Sequence, residues 1–280
     1  MSKSNEVAIR VEGVSKDFDL PHEVNNNLKQ KILHPLKRTT SEKQQALKNI
    51  SFEVKKGDFF GIVGRNGSGK STLLKIIAGI YTPTKGKVTV NGSLTPFIEL
   101  GVGFNPELTG RENVFLNGAM LGFSKKEMSE MYDEIVAFSE LDKFMDQKLK
   151  NYSSGMQVRL AFSVAIKAEA DILVLDEVLA VGDASFQQKC YEYFGKIKSE
   201  NKTVILVSHS MSSIEKFCNR AMLIDDSEVK KIGRSSEVAL MYDELFTEKD
   251  SEKVDPIEKD RRITVKITKD GKKTTTPKIK

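Results

Sequence analysis

The chain has 280 residues, 39% of them hydrophobic, which suits one large globular domain, or one domain with a subdomain and a tail. No apolar run approaches the roughly 18 residues of a membrane-spanning helix. The first residues lack a signal peptide's apolar stretch, and two cysteines without metal-ligand spacing favour a reducing, cytosolic compartment. The net charge of +5 does not indicate a nucleic-acid face on the folded body, because residues 263–280 alone carry six lysines and one aspartate.

Strand alternation opens the chain at Val7–Val11 and resumes at Leu47–Val54, with an interruption over residues 19–45. The interruption is rich in Asn, Lys and Gln and has room for one or two helical turns before Pro35. Two interpretations stay open for it. It is either a solvated surface insertion or a contact with membrane headgroups or a membrane partner.

The strongest motif follows the short apolar run Phe59–Val63 and precedes a helical pattern that ends at Gly79. A strand, a glycine-rich loop and a helix in this order are typical of a phosphate-binding loop, whose backbone N–H groups and helix N-terminus hold phosphate oxygens. Lys70 can neutralise the β- and γ-phosphates, and Ser71 can offer its hydroxyl to Mg²⁺. The predicted nucleotide-binding residues are Gly64, Arg65, Asn66, Gly67, Ser68, Gly69, Lys70, Ser71 and Thr72.

A helical subdomain inserted over about residues 109–165 is the next prediction. Two short strands precede it, Lys87–Val90 with a hairpin signal at Asn91-Gly92, and Phe97-Ile98. Capping-box pairs predict the starts of two helices, and a stripe of methionine, isoleucine and phenylalanine along the second is interpreted as core. The pairs are Thr109 with Glu112 and Ser124 with Glu127, and the stripe is Met128, Met131, Ile135 and Phe138.

Two near-continuous apolar runs, at 171–175 and Thr203–Val207 with a helix at 184–199 between them, predict parallel strands buried on both faces. The fold class is therefore α/β, three layers with a mostly parallel central sheet and an antiparallel β edge. Functional residues of such a sheet lie at the carboxyl ends of its strands, where Asp176, Glu177 and His209 lie. We expect Asp176 to hold Mg²⁺, Glu177 to polarise the attacking water, and His209 to contact the γ-phosphate or orient that water.

Residues 152–156 read Tyr152-Ser153-Ser154-Gly155-Met156 and open a helix, so they form either an ordinary N-cap or a second anion site. The order of phosphate loop, helical subdomain, serine-rich turn and Asp176-Glu177 resembles the ATP-binding cassette family. In that family the turn is the signature motif, usually Leu-Ser-Gly-Gly-Gln. Here Ser153 and Gly155 match the motif and three positions depart from it.

The resemblance covers roughly residues 7–245, and several stretches are similar to one branch, the ATPase subunits of bacterial exporters of O-antigen, capsule or teichoic acid. These stretches are the signature at 152–156, residues 99–113, residues 176–183 and the insertion at 19–45. The resemblance implies ATP and Mg²⁺ as cofactors and a homodimer in which Ser153, Ser154, Gly155 and Met156 of one subunit meet the partner's ATP. It further implies an integral membrane permease as partner, export of a lipid-linked polysaccharide, and a peripheral position at the cytoplasmic face of the plasma membrane.

Two further roles that the family assigns have candidate residues in this chain. A glutamine that couples Mg²⁺ to the membrane domain is usual between the phosphate loop and the helical subdomain, and here Glu99 or Leu100 lies near that place. The aromatic residue that stacks on adenine corresponds best to Phe18, with core packing as the alternative. The rival functions are a soluble cassette ATPase acting on nucleic acid or ribosomes, and a non-hydrolysing regulatory cassette. The presence of Glu177 and His209 argues against the second.

The predicted division places an ATPase domain at residues 1–245 and a charged C-terminal tail at 246–280. The tail is too short for the carbohydrate-binding sandwich that some exporters of this branch carry. Apolar and threonine-rich runs flank Asp270-Gly271, so a marginal hairpin is one interpretation of the tail. A disordered basic segment near acidic lipid is the other.

Overall fold

The structure, a computed structural model, describes residues 6–21, 41–97, 101–168, 170–176, 183–252, 266–267 and 273–274. The chain divides into a unit Met1–Ala239 and a unit Leu240–Lys280. Most of the predicted insertion lies outside the described residues, as do Glu99, Leu100 and Glu177 among the predicted site residues.

A six-stranded sheet forms the centre of the first unit. Its strands are β3 (Phe59–Val63), β5 (Leu94–Phe97), β6 (Ile172–Asp176), β7 (Thr203–Val207), β8 (Arg220–Asp225) and β9 (Glu228–Arg234), in the order β5-β6-β7-β3-β8-β9. Neighbours from β5 to β8 are parallel, and β9 pairs antiparallel with β8. Every residue of β3 and β7 is buried, as continuous apolar runs predict for strands covered on both faces.

A second, antiparallel sheet is formed by β1 (Val7–Pro21), β2 (Ser41–Lys55) and β4 (Lys85–Val90), in the order β2-β1-β4. The pairing of β1 with β2 reaches Pro21 and Ser41, so the ladder extends into both ends of the predicted insertion. It also sets Phe18 directly opposite Gln44.

The predicted hairpin at Asn91-Gly92 is wrong. The backbone N–H of Asn91 donates to Ala8 O (2.8 Å), which ends β4 against β1. Two residues later Ser93 donates through its backbone N–H and its hydroxyl to Asp171 Oδ2 (2.9 and 2.8 Å), which starts β5 beside β6. These residues therefore carry the chain from one sheet to the other.

Helices complete the three layers. Helix α1 (Lys70–Ile77) and the antiparallel sheet pack on one face of the central sheet, in a core that includes Phe60, Ile62, Leu73 and Leu74. The opposite face is covered in part by α5 (Ala184–Ser199) and α6 (Met211–Phe217). The absence of a side chain at Gly61 lets Ile214 of α6 approach β3 closely, since a Cβ there would lie 3.0 Å from it. The last helix within the described residues is α7 (Ser235–Glu252).

The helical subdomain contains α2 (Gly110–Met120), α3 (Lys125–Ser139) and α4 (Ser154–Ala165), with 3-10 turns at Asp142–Phe144 and Leu149–Asn151. Both predicted capping boxes are present, at Thr109 and Ser124. Met128 and Ile135 are buried in the subdomain core, which confirms the interpretation of the apolar stripe.

In the second unit, Lys266–Ile267 pairs antiparallel with Lys273–Thr274, in agreement with the hairpin interpretation over these residues. Among the described helices of the chain, none is both long enough and apolar enough to cross a membrane.

Candidate functional site

In the glycine-rich loop between β3 and α1, two carbonyl groups accept hydrogen bonds from the lysine at the end of the loop. Lys70 Nζ donates to the carbonyl oxygens of Gly64 and Arg65, both at 2.8 Å, and the side chain is only 6% exposed. Burying an ammonium group is costly unless it has hydrogen-bond partners. The two carbonyls supply such partners and hold the positive charge at the carboxyl end of β3.

At two of the loop glycines a side chain would collide with neighbouring backbone atoms. A Cβ on Gly64 would lie 2.1 Å from Ile224 O, and one on Gly69 would lie 2.5 Å from Ala46 O. Gly69 also has φ 104°, a backbone conformation that favours glycine. Gly67 differs, because a Cβ there would meet nothing within 4 Å. Gly64 and Gly69 thus make room for neighbouring backbone.

The N-terminus of α1 is suited to binding an anion. Its N-cap, Gly69, has no side chain that could bond the first-turn N–H groups, and no acidic residue lies in that turn. Leu73 is the first residue of the helix whose N–H reaches a helical carbonyl, that of Gly69 at 2.9 Å. The preceding N–H groups and the helix dipole therefore favour negative charge at this position.

The loop opens onto a cavity of about 640 Å³. Asp176, the last residue of β6, lines this cavity together with Lys70 and Ser71, so the two nucleotide motifs meet in one place. The other lining residues are Phe18, Gln44, Gln45, Ala46, Asn66, Gly67, Gly69, Thr72 and Ser227.

These residues fit a magnesium-bound triphosphate. The buried ammonium group of Lys70 and the N-terminus of α1, which has no side-chain cap, suit phosphate oxygens. Asp176 and Ser71 give the cavity a carboxylate and a hydroxyl, the oxygen ligands that Mg²⁺ prefers.

The serine-rich turn at the start of α4 is a separate feature. Ser153 is its N-cap, and the hydroxyl oxygen accepts from the backbone N–H of Met156 at 3.2 Å. Ser153 and Ser154 are exposed, and a Cβ on Gly155 would meet only Ser153 Oγ, at 3.9 Å, among the described residues. The helix N-terminus therefore faces open space. Because the Ser153 oxygen accepts from the helix, its O–H proton can point outward as a donor.

Tyr152 explains one departure from the usual signature motif. Its ring is buried in the subdomain core, and its hydroxyl donates to Phe144 O at 2.7 Å. Gly110 packs against this ring, since a Cβ there would lie 2.1 Å from the Tyr152 oxygen. Burial raises the pKa of Tyr152 to about 12. The tyrosine anchors the turn that presents Ser153.

Comparison with known proteins identifies the family. A family model described as ABC transporter matches residues 47–180. The O-antigen export system ATP-binding protein RfbB of Klebsiella pneumoniae is 42% identical over 240 residues, which cover 85% of this chain and 98% of that protein. The chain belongs to the ABC transporter family. The teichoic acids export ATP-binding protein TagH of Bacillus anthracis is 41% identical over 238 residues of this cassette, 85% of its length and 43% of that protein.

Solved structures of ABC cassettes have the same fold. The dimeric bacterial ABC transporter cassette MJ0796 superposes with a TM-score of 0.64 at 25% identity, covering 81% of this chain and 98% of that one. The same cassette in a dimeric post-hydrolysis state, bound to ADP and Pi, gives a TM-score of 0.65 at 24% identity with the same coverage. The predicted three-layer α/β fold is confirmed.

The structure of the cassette gathers part of the predicted site. Lys70, Ser71, Asp176 and Phe18 line one cavity, and so do four more of the predicted loop residues, Asn66, Gly67, Gly69 and Thr72, whereas Gly64, Arg65 and Ser68 are not among its lining residues. His209 follows β7 at the same edge of the sheet and is exposed, but it is not among the described residues that line the cavity. The roles predicted for His209, the signature residues, Glu99 and Glu177 stay predictions, as do the roles predicted for the residues that line the cavity.

The sequence analysis missed three polar residues that line the cavity, Gln44, Gln45 and Ser227. Ser227 follows Asp226 in a tight turn between β8 and β9, where both residues have positive φ, and its hydroxyl donates to Gln45 O at 3.1 Å. The sequence contains no turn signal strong enough to reveal this turn. Gln44 and Gln45 were assigned to the insertion, although they lie on β2 beside β1.

Proposed function

We propose that this cassette binds and hydrolyses ATP as a homodimer and that it drives export of a lipid-linked polysaccharide, such as O-antigen, capsule or teichoic acid. Its partner is an integral membrane permease, and it acts at the cytoplasmic face of the plasma membrane. The observation that carries the ATPase part is the single cavity that unites the Lys70 loop with Asp176. The identity to RfbB over nearly that protein's whole length supports the export part and disfavours the nucleic-acid or ribosome alternative.

The residues of the two nucleotide motifs have definite tasks in this proposal. Lys70 is held by two carbonyls at the loop, from which its ammonium reaches the β- and γ-phosphates. The first-turn N–H groups of α1 donate to phosphate oxygens. Ser71 and Asp176 would hold Mg²⁺, which would supply positive charge to neutralise the phosphates. Glu177, which follows Asp176 in sequence, accepts the proton of the attacking water.

The second half of the site comes from the partner subunit in this proposal. Ser153 of one subunit donates its outward O–H to the γ-phosphate held by the other, and the N-terminus of α4 adds its positive end. ATP therefore joins the two cassettes, and hydrolysis separates them. Met120 at the end of α2 and Val102 in the loop before the helical subdomain are exposed apolar side chains, each 60% exposed, and are candidates for contact with the permease.

The export proposal is tested by locating the protein in cells. We expect the cassette to sediment with membranes through its permease and to be released by detergent that extracts the permease. Loss of the protein should leave lipid-linked polysaccharide on the cytoplasmic side, and the wild-type chain should restore export. Sedimentation with ribosomes or DNA after the membranes are removed, with unchanged surface polysaccharide, would instead support the soluble alternative.

Phe18 provides a second test, of nucleobase stacking. Its half-buried ring lines the cavity, meets Tyr81 edge-on at 5.7 Å and lies 5.1 Å from Lys16 Nζ. Base–aromatic stacking contributes about 1–3 kcal/mol, so F18A should weaken ATP binding roughly 5- to 150-fold. GTP binding should fall to a similar extent, because stacking tolerates any base.

Isothermal titration of ATP and GTP measures this effect. F144A is the matched control, since Phe144 is a partly exposed aromatic residue of the helical subdomain that contacts Tyr152. It should keep wild-type ATP affinity. A lower melting temperature of F18A with unchanged ATP affinity would assign Phe18 to core packing.

A further inference from the structure

Gln44 lies beside Phe18 across the ladder of β1 and β2. The register sets these two residues directly opposite each other, and the pairing continues on both sides of them. Directly opposed residues of an antiparallel pair have their Cβ atoms about 4.5–5.5 Å apart on one face of the sheet. Both residues line the cavity that contains Lys70 and Asp176. Phe18 and Gln44 therefore border the same space.

The strand that carries Gln44 is also held by the turn between β8 and β9. Ser227 Oγ in this turn donates to Gln45 O at 3.1 Å, and the backbone N–H of Lys48 donates to Ser227 O at 2.8 Å. The backbone around Gln44 is thus fixed by β1 and by the turn. Within the described ranges, the side-chain amide of Gln44 makes no hydrogen bond to protein. Its carbonyl and amino groups are therefore available to a ligand in the cavity.

The ring of Phe18 has protein on one side. Lys16 Nζ lies over this ring at 5.1 Å from its centre and donates to Thr82 O at 2.9 Å, and Tyr81 meets the ring edge-on at 5.7 Å. A nucleobase that stacks on Phe18 therefore uses the opposite face of the ring, which borders the cavity. The edge of such a base comes within reach of the Gln44 amide.

Stacking and hydrogen bonding differ in what they distinguish. An aromatic ring stacks on every base, because every base has a π-face. Adenine presents the N6 amino donor beside the N7 acceptor, and the carbonyl and amino groups of a glutamine match this pair in a bidentate contact. Guanine presents two acceptors, O6 and N7, in the same places. A glutamine beside the stacking ring therefore favours adenine over guanine.

We infer that Gln44 is a specificity-determining residue, which binds the edge of adenine and makes the cassette select ATP over GTP. The inference rests on the proposed function and deepens it, since it names the base that the site prefers. Phe18 supplies affinity for either purine nucleotide, and Gln44 supplies the preference between them. The two contributions are therefore separable by substitution.

The test is isothermal titration of ATP and of GTP into the wild-type chain, Q44M and Q44A. Methionine keeps the unbranched shape of the side chain without an amide. Because the Gln44 side chain is exposed to water, we expect the wild type to bind ATP roughly 5- to 20-fold more tightly than GTP, the low end for a bidentate contact. In both variants this ratio should fall to near 1, with GTP affinity within about twofold of wild type.

Two further variants serve as controls. F18A should weaken the binding of both nucleotides and leave the ratio of their affinities at the wild-type value. Q188M makes the same glutamine-to-methionine change on α5, where Gln188 donates to Glu192 at 3.1 Å, and Gln188 is not among the described residues that line the cavity. It should keep both affinities and their ratio.

The outcomes separate this inference from the proposed function. A wild-type ratio near 1, or a ratio that is unchanged in Q44M and Q44A, overturns the role of Gln44 and leaves the ATPase proposal standing. An equal loss of ATP and GTP affinity in both variants also overturns it, since Gln44 would then shape the cavity without distinguishing the base. Failure of the wild-type chain to bind or hydrolyse either nucleotide would instead contradict the proposed function itself.

Discussion

Replacing Lys70 by alanine is expected to abolish ATP hydrolysis and to weaken ATP binding about 10- to 150-fold. The ammonium group is buried beside the loop and directed by the carbonyls of Gly64 and Arg65. A charge-assisted hydrogen bond to phosphate contributes about 1.5–3 kcal/mol, which corresponds to this range of affinity. Turnover should fall further, because the lysine also stabilises charge that develops on the transferred phosphoryl group.

Titration calorimetry and a phosphate-release assay measure the two effects of K70A. The matched control is K75A, which removes a lysine from the same helix whose Nζ lies 5.5 Å from the centre of the Tyr81 ring. K75A should keep ATP affinity within about twofold. Measurable turnover in K70A at saturating ATP would mean that the loop positions phosphate through its backbone alone, and the role assigned to Lys70 would be wrong.

The helices and strands nearest the site were predictable, because the sequence patterns that indicate them involve only residues close together in the chain. A buried run before the glycine loop gave β3, and α5 and β7 have the bounds that the sequence indicated. The capping boxes placed the starts of α2 and α3 because a serine or threonine and a glutamate three residues later satisfy each other's backbone groups. Such pairs need no tertiary context.

What the sequence did not reveal depends on contacts between distant residues. Asn91-Gly92 is a genuine turn signal, but a turn cannot indicate which sheet receives the next strand. Gln44 reaches the cavity only because β2 pairs with β1, which sets it opposite Phe18. The ion pairs of Arg159 with Glu140 and Asp183 likewise join three elements, whereas the periodicity of α4 reports only its apolar face.

Conversion of Glu177 to glutamine is expected to lower kcat about 10²- to 10⁴-fold while ATP still binds. Glutamine keeps the size of the side chain but cannot accept the proton of the attacking water, and that range is typical for loss of a general base. Since hydrolysis separates the proposed dimer, E177Q should accumulate as a dimer in the presence of ATP and Mg²⁺. Light scattering after gel filtration, with and without ATP, measures the mass directly.

E192Q is the control for this prediction, because it removes a carboxylate from α5 that accepts a hydrogen bond from Gln188 at 3.1 Å. It should turn over ATP like the wild type and should not accumulate as a dimer.

The dimer of E177Q also tests the signature serine. S153R in the same background should return the protein to a monomer, because it places a bulky side chain at the interface between the two subunits. Full turnover in E177Q would remove Glu177 from the mechanism, and an E177Q that stays monomeric at saturating ATP would contradict the shared site.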